Sequence, residues 1–452
     1  MKKIVTFFLS FALIFSLSAP ILAIDDPSSV THNTPTLKDV STSELLEQFE
    51  AVSGQISYSD EVSISYISEI SERSKEFSDE DLISKIADNS GSANYRRGLL
   101  ETYLTKYDFV ISDNKFLDMV EDPNFDIGMK ILIIVCLSDD ILASREAKDM
   151  LVSLSSSEEG ELAYHAIKAL ADVDLQKALR ISEEILENID TELEEKINIA
   201  LNLIAENLQY TNTSVFKTSK NDSYVSYLYD VYQKTESTEV QVAVKSALSQ
   251  ISTKEATVAL EQIRASAAQM RVDGVGGYAA YRDGVQIIGN VITNWHAGIA
   301  VSGVGTSAQF AQATGKNYTT DIVSYSSFVN GNTFLGYYQP ASVSYYHPYR
   351  DAVVETAEIV ANLHIPYVAV TCITYDYIPM TQTHYNPSDI QAIRCDGFVE
   401  YCFEYEGIRL AGPNNYWDIT LRDTSAQDVH YGVAAITPKK QAEDYMVLVN
   451  LN

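Results

Sequence analysis

A cysteine and a histidine in the C-terminal half have the residue types and predicted surroundings of a nucleophile and its base. Cys395 begins a predicted helix over residues 394–405, where backbone N–H groups and the positive end of the helix dipole stabilise a thiolate. Arg394 is predicted to add positive charge beside the sulfur. His296 lies on a predicted strand over residues 295–301, and an imidazole beside a thiol can take its proton and later protonate the leaving group. The sequence therefore predicts a reactive Cys395 with a lowered pKa.

The other cysteines are predicted to have structural roles. Cys136 and Cys372 lie in apolar runs, and Cys402 follows Cys395 by two helical turns, about 10.5 Å, which is too far for a disulfide. Asp396 is interpreted as a helix cap, with a role as general acid as the alternative. The sequence contains no Cys-x-x-Cys or His-x-x-x-His pattern, so no zinc site is expected. A role in the site is less favoured for five other histidines: His165, His347, His364, His384 and His430.

The two candidate residues lie in motifs that resemble a known family. The run Trp-His-Ala-Gly-Ile-Ala-Val at residues 295–301, followed by Gly303, resembles the His-Val-Gly-Ile-Tyr-Val-Gly strand of NlpC-type papain-like cysteine hydrolases. The helix motif Cys-x-Gly-Phe-Val begins at Cys395. In most of that superfamily the cysteine helix precedes the histidine strand. Here Cys395 follows His296 by 99 residues, which resembles the circularly permuted YiiX/YebB-like branch. The resemblance covers residues 275–412, about a third of the chain.

The resemblance also implies a third site residue. The branch carries a polar residue on the strand after the histidine, and residues 309–315 place Gln312 at that position. An amide oxygen can still accept from the imidazole and orient it, although it stabilises an imidazolium less than a carboxylate would. The resemblance implies an α+β papain-like core, Cys395 as nucleophile, His296 as base, Gln312 as orienter, and no metal or cofactor. The backbone N–H of Cys395 is expected to contribute to an oxyanion hole.

These residues must be positioned by two halves of different composition. Only 5 of the 20 glycines precede residue 272, and proline is absent from residue 124 to residue 339. Residues 41–264 show apolar spacings of three and four that predict helices, the first starting with a capping pattern at Ser43. Residues 237–251 resemble a HEAT-type helical repeat, and residues 157–186 repeat the theme; an irregular helical bundle is the alternative. This half contains no catalytic cluster and is predicted to be a scaffold or a partner-binding surface.

The second half is predicted to be α+β. Alternation predicts strands over residues 285–292, 295–301 and 308–313, with His296 and Gly298 on one face and Ala297 and Ile299 on the other. A helix is predicted over residues 351–363. The predicted organisation is a multi-domain protein: an all-α HEAT-like domain at 41–264, a glycine-rich hinge at 265–277, and a permuted papain-like domain at 278–452.

The first residues are typical of a secretory signal peptide. Lys2 and Lys3 precede an apolar stretch over residues 7–17, and small residues end at Ala23. Residues 1–23 are therefore predicted to be removed, residues 24–40 to form a tail, and the mature protein to be secreted by bacterial-type Sec export; an uncleaved membrane anchor is the alternative. The formal charge of −30 argues against nucleic acid and anionic lipid as partners.

The sequence thus predicts a secreted cysteine hydrolase that cleaves amide or ester bonds through a thioester. Export favours cell-wall peptide as substrate, and the resemblance adds acylated small molecules as a second class. The alternative is a non-catalytic secreted scaffold or adhesion protein, with an inactive papain-like domain and a partner bound to the helical half.

The cleavage site gives a direct test. N-terminal sequencing of secreted material is expected to start at Ile24, because the segment after Ala23 turns polar and acidic. A sequence that starts at Met1 would contradict the signal-peptide interpretation.

Overall fold

The structure is a computed structural model that describes most of the chain beyond residue 36. The described residues are 37–55, 58, 61–208, 220–251, 253–271, 274–284, 295–314, 316–343, 346, 349–369, 371–376, 378, 382–410, 417–422 and 437–450. The predicted signal peptide, most of the predicted tail, the predicted strand over residues 285–292, His347 and His430 lie outside these ranges.

The first half is helical, as predicted. Serine side chains cap several of its helices; Ser41 accepts from the backbone N–H of Glu44, so the first helix begins one residue after Ser41 and not at the predicted Ser43. Among the described helices, none combines the length and apolarity that a bilayer crossing requires. The helices are α1 (Thr42–Ser53), α2 (Glu61–Glu72), α3 (Asp79–Ala87), α4 (Ala93–Lys106), α5 (Lys115–Glu121), α6 (Ile127–Cys136), α7 (Asp139–Leu142), α8 (Arg145–Leu154), α9 (Gly160–Val173), α10 (Leu175–Glu187), α11 (Glu194–Glu206), α12 (Lys220–Lys234), α13 (Thr238–Gln250) and α14 (Lys254–Arg271).

Helices α9, α11 and α13 form one layer. Helix α11 packs between α9 and α13, while α10 contacts both α9 and α11, and α12 contacts α13. Buried alanines such as Ala163, Ala200 and Ala243 allow these helices to approach closely. Helix α14 extends through residue 271 and so includes the first part of the predicted hinge; residues 272 and 273 lie outside the described ranges.

The second half is α+β, as predicted, and contains an antiparallel sheet. Its described strands have the order β4-β3-β2-β1-β5-β8, and β6 pairs with β7 separately. Strand β1 was not predicted. The elements are β1 (Ala279–Asp283), β2 (Trp295–Ser302), β3 (Gln309–Ala313), β4 (Thr320–Ser324), α15 (Tyr325–Val329), β5 (Phe334–Pro340), α16 (Arg350–Ala361), β6 (Ile373–Tyr375), β7 (Ile390–Ile393), α17 (Cys395–Tyr405), α18 (Pro438–Lys440) and β8 (Met446–Leu448).

The two faces of the six-stranded sheet have different cores. Helices α16 and α17 pack against β2 and β3, where Ala297 and Ile299 join the main core. The opposite face carries a smaller cluster that includes Ala300, Phe310 and Phe328. The alternation predicted for β2 is confirmed, because its even-numbered and odd-numbered residues contribute to different clusters.

The helical layer contacts the second half through side chains that bind its backbone. Nε2 of His165 on α9 lies 2.8 Å from the carbonyl oxygen of His364, and Nδ2 of Asn198 on α11 donates to the carbonyl of Asn362 at 2.7 Å. On α13, Lys245 forms a buried ion pair with Glu358 at 3.1 Å. This face of the helices is therefore covered by the second half of the same chain.

His165 makes this interface sensitive to acid. Burial lowers the pKa of His165 to about 3, so between pH 6.5 and 3 the unfolded chain binds a proton that the folded chain does not, and stability falls as the pH falls. His165→Gln keeps an N–H donor but does not titrate. From pH 7.5 to pH 5, the wild-type protein is expected to lose about 2 kcal/mol more unfolding free energy than this variant in urea titrations.

The exposed His384 supplies a matched control. His384→Gln should retain the wild-type pH dependence. Identical acid dependence of His165→Gln and wild type would contradict the assignment.

Candidate functional site

His296 and Gln312 are joined on neighbouring strands, as the resemblance implied. Nε2 of His296 on β2 lies 2.7 Å from Oε1 of Gln312 on β3, and both side chains are buried. Gly298 provides the room for this contact, since a Cβ there would lie 3.0 Å from the ring of Phe328 and 3.4 Å from Cβ of Gln312. The ring centroids of His296 and Phe328 are 5.5 Å apart. The imidazole is thus held by an amide and an aromatic ring.

The bond to Gln312 fixes the tautomer of His296. An amide oxygen only accepts, so Nε2 carries the proton and Nδ1 has a free lone pair. Nδ1 of His296 is buried and has no hydrogen-bond partner among the described residues. A buried nitrogen without a partner costs free energy, and a catalytic role is one explanation for such a group. Nδ1 is therefore the atom of this imidazole that can act as a base.

Cys395 is the first residue of α17, as predicted. The backbone N–H groups of Asp396, in the first turn, and of Ala297, the residue directly after His296, act on the thiol and lower its pKa. Helix α17 also packs against β2. The structure thus brings the sulfur to the strand that carries the imidazole. Only 4% of Cys395 and 4% of His296 is exposed. The candidate nucleophile and base are therefore both enclosed.

The two side chains nevertheless pack on different faces of β2. Cys395 belongs to the main core with Ala297, whereas His296 contacts Phe328 on the opposite face. The structure therefore brings His296 to Gln312 directly and brings Cys395 to the backbone of β2. Proton transfer requires Nδ1 of His296 to come within hydrogen-bond reach of the sulfur.

The electrostatics of Cys395 differ from the sequence prediction. Burial, followed by the charge of Asp396, raises the pKa of Cys395 to about 12, although Arg394 and two backbone N–H groups act in the opposite direction. Arg394 is engaged by Asp396 through Nε–Oδ1 and Nη2–Oδ2 contacts of 2.6 and 2.8 Å. The prediction of a lowered thiol pKa was wrong for this closed site, because desolvation outweighs the helix dipole and Asp396 neutralises Arg394.

The imidazole is also shifted towards its neutral form. Burial, and then the positive charge of Arg282, lowers the pKa of His296 to about 3. Arg282 lies on β1 directly opposite His296 in the strand register. Thiol and imidazole are therefore both neutral in this structure over the physiological pH range. Ionising the pair requires water or substrate to enter the site.

The start of α17 is held by several backbone contacts. The backbone N–H of Arg394 donates to the carbonyl of Cys372 at 2.8 Å, and a Cβ at Gly397 would lie 2.2 Å from that same oxygen. The glycine of the Cys-x-Gly-Phe-Val motif thus permits close backbone approach. Nε2 of Gln441 donates to the carbonyl of Asp396 at 3.1 Å.

Tyr367 is a candidate site residue that sequence reasoning missed. It is fully buried, and its hydroxyl has no hydrogen-bond partner among the residues that the structure describes. After burial, the charge of Cys395 is the largest influence that raises the pKa of Tyr367. The one sequence signal was a tyrosine inside an otherwise apolar run at residues 365–370.

The remaining cysteines are buried and free, as predicted for core residues: Cys136, Cys372 and Cys402. Asp396 has its carboxylate bound to Arg394, which argues against the alternative role of general acid.

His364 follows α16 and contacts Glu239 at 3.1 Å. Within the described ranges, no three His, Cys, Asp or Glu side chains converge as a metal ion would require.

The comparisons with known proteins are negative. No family model, no curated protein and no solved structure matches this chain. The functional interpretation of the candidate site therefore rests on its geometry.

Thiol reactivity tests the closed site. Cys395 is expected to react with iodoacetamide before the other three cysteines, but slowly at pH 6.5 and faster up to about pH 10, because its pKa of about 12 leaves little thiolate near neutrality. Burial raises the pKa of Cys372 and Cys402 well above the ordinary value. Peptide mapping by mass spectrometry gives the order and rate of labelling.

Cys395→Ser should remove the first-labelled site and leave the others unchanged. Rapid labelling of Cys395 at pH 6.5 would instead show that the pair is ionised in solution, and earlier labelling of Cys372 or Cys402 would contradict the assignment.

Proposed function

We propose that this protein is an exported, latent cysteine hydrolase of the permuted papain-like type, with an amide or ester of cell-wall peptide as substrate. One observation carries the proposal. His296 is bonded to Gln312 through Nε2 at 2.7 Å, its buried Nδ1 is left without a described partner, and Cys395 begins a helix that packs against the strand of His296. These are the groups that nucleophilic catalysis by a thiol needs, and the reaction requires a movement that brings Nδ1 to the sulfur.

The proposed reaction has two steps. Nδ1 of His296 takes the proton of the Cys395 thiol, the thiolate attacks the substrate carbonyl, and the imidazolium returns the proton to the leaving amine or alcohol. The resulting thioester is hydrolysed by a water molecule that gives a proton to the same nitrogen. Gln312 keeps the ring in the required tautomer. The Tyr367 hydroxyl and a backbone N–H at the start of α17 would stabilise the oxyanion.

The burial of the site supports latency. With 4% of each side chain exposed, a substrate cannot reach Cys395 and His296 without displacement of the surrounding residues. Opening would hydrate both groups and remove the main cause of their pKa shifts. Two surface grooves of about 460 and 410 Å³ lie on the helical half and do not border the site.

One observation favours a second candidate function, a non-catalytic scaffold. The closed, neutral pair is also what a papain-like domain without activity would retain. In that case Cys395 would serve only as a buried core residue beside Ala297. The two candidates differ in whether Cys395 turns over substrate.

Product analysis separates them. Incubation of mature protein with purified wall muropeptides is expected to give cleavage products by mass spectrometry, with kcat abolished in Cys395→Ala and lowered at least about 100-fold in His296→Ala. Gln312→Ala should lower kcat less, because an orienter only positions the base.

Cys402→Ser supplies the matched control. Cys402 is a buried core residue on α17, the helix that begins at Cys395, and should be dispensable for turnover. Full activity of Cys395→Ala would contradict the proposed nucleophile. The absence of products from muropeptides and from acyl esters alike, with the thiol accessible, would favour the scaffold.

A further inference from the structure

We propose that helix α4 of the helical half is a positioning element of the Cys395 site, and that Glu101 is its principal positioning residue. This inference rests on the proposed function for its effect on turnover. It assigns the helical half a task inside the hydrolase and not only that of a surface for other partners.

The carboxylate of Glu101 binds the backbone beside the site. Both of its oxygens accept from the N–H of Ala369, at 3.1 and 3.0 Å, and the hydroxyl of Tyr58 donates to it at 2.5 Å. Glu101 and Tyr58 are fully buried. A charge-assisted bond to a backbone N–H is directional and is strong in a low-dielectric interior. It therefore fixes the position of Ala369, which apolar packing alone would not do.

Arg97 holds the same segment one turn earlier on α4. Its Nη2 donates to the carbonyl of Tyr367 at 2.7 Å, and its guanidinium carbon lies 5.2 Å from the ring centroid of Tyr58 and 4.9 Å from that of Tyr318. Arg97 and Glu101 thus hold the backbone of residues 367–369 at both ends.

The same segment continues into the start of α17. The N–H of Val368 donates to the carbonyl of Ile393 at 3.2 Å, and the N–H of Ile393 donates to Pro366 at 3.0 Å. Nη1 of Arg394 donates to the carbonyl of Ala369 at 3.3 Å. A displacement of residues 366–369 would therefore move the two residues that precede Cys395.

The experiment uses full-length mature protein and compares Glu101→Gln with a control at the same interface. Glu101→Gln keeps the shape but removes the charge and replaces one acceptor oxygen by a donor that opposes the N–H of Ala369. Glu358→Gln removes the partly buried ion pair between Glu358 on α16 and Lys245 on α13, a bond between the two halves that does not involve residues 366–369 or Cys395. Tyr58→Phe removes one donor to Glu101 and should give a smaller effect in the same direction.

Two measurements are made on each variant. The first is the rate of iodoacetamide alkylation of Cys395, which needs no substrate; it is expected to rise at least about fivefold in Glu101→Gln and to stay within about twofold of wild type in Glu358→Gln. The second is muropeptide turnover, where Glu101→Gln is expected to lower kcat at least about tenfold with KM nearly unchanged. Thermal unfolding identifies variants that have lost the fold.

The outcomes separate the two proposals. Wild type that shows no turnover while its Cys395 is accessible to alkylation overturns the proposed function, and a selective rise in Cys395 alkylation in Glu101→Gln still supports the positioning role. Alkylation in folded Glu101→Gln that matches Glu358→Gln overturns the positioning role. If Glu101→Gln does not fold, Tyr58→Phe decides by the same comparison, with wild-type alkylation overturning the role.

Discussion

The contact between charged side chains of α4 and the backbone of residues 366–369 is the constraint on which the rest of the candidate site depends. Arg97 binds a carbonyl and Glu101 binds an N–H of this segment, and the segment pairs with the strand that leads into Cys395. Burying two such charges is costly unless hydrogen bonds are well formed. Directional hydrogen bonds offset that cost. They fix the position of residues 366–369 relative to α4, which apolar contact alone would not do.

The closed site illustrates how burial competes with a helix dipole. A dipole and an arginine next in sequence argue for a thiolate at Cys395, and this holds where solvent reaches the sulfur. Here the thiol and His296 are excluded from water, and Asp396 takes the charge of Arg394. Desolvation then decides the protonation state of both groups, and the neutral pair is the stable one. Any reaction of the Cys395 thiol therefore depends on opening of the site.

Local patterns in the sequence predicted much of the framework. The alternation of β2 and the helix at Cys395 each depend on neighbours within a few residues, so a single sequence was enough to find them. Gln312 was predicted from the family resemblance and not from a local pattern. Contacts between distant segments left no such signal. Strand β1, the hydroxyl of Tyr367 and the Glu101–Ala369 bond depend on residues up to 268 positions apart. The charge pairing of Arg394 was also missed, because the sequence does not show which group a side chain faces.

The position of Gln441 has a consequence for the order of assembly. This residue joins the carbonyl of Asp396 to the hydroxyl of Tyr281, and β8, which follows it, pairs with β5. A nascent chain that has been synthesised only as far as α17 therefore already has its cysteine and histidine but lacks one of the bonds that hold the start of that helix. The helical half can fold before residues 441–448 are synthesised. The start of α17 thus gains its bond to Gln441 only at the last stage of chain synthesis.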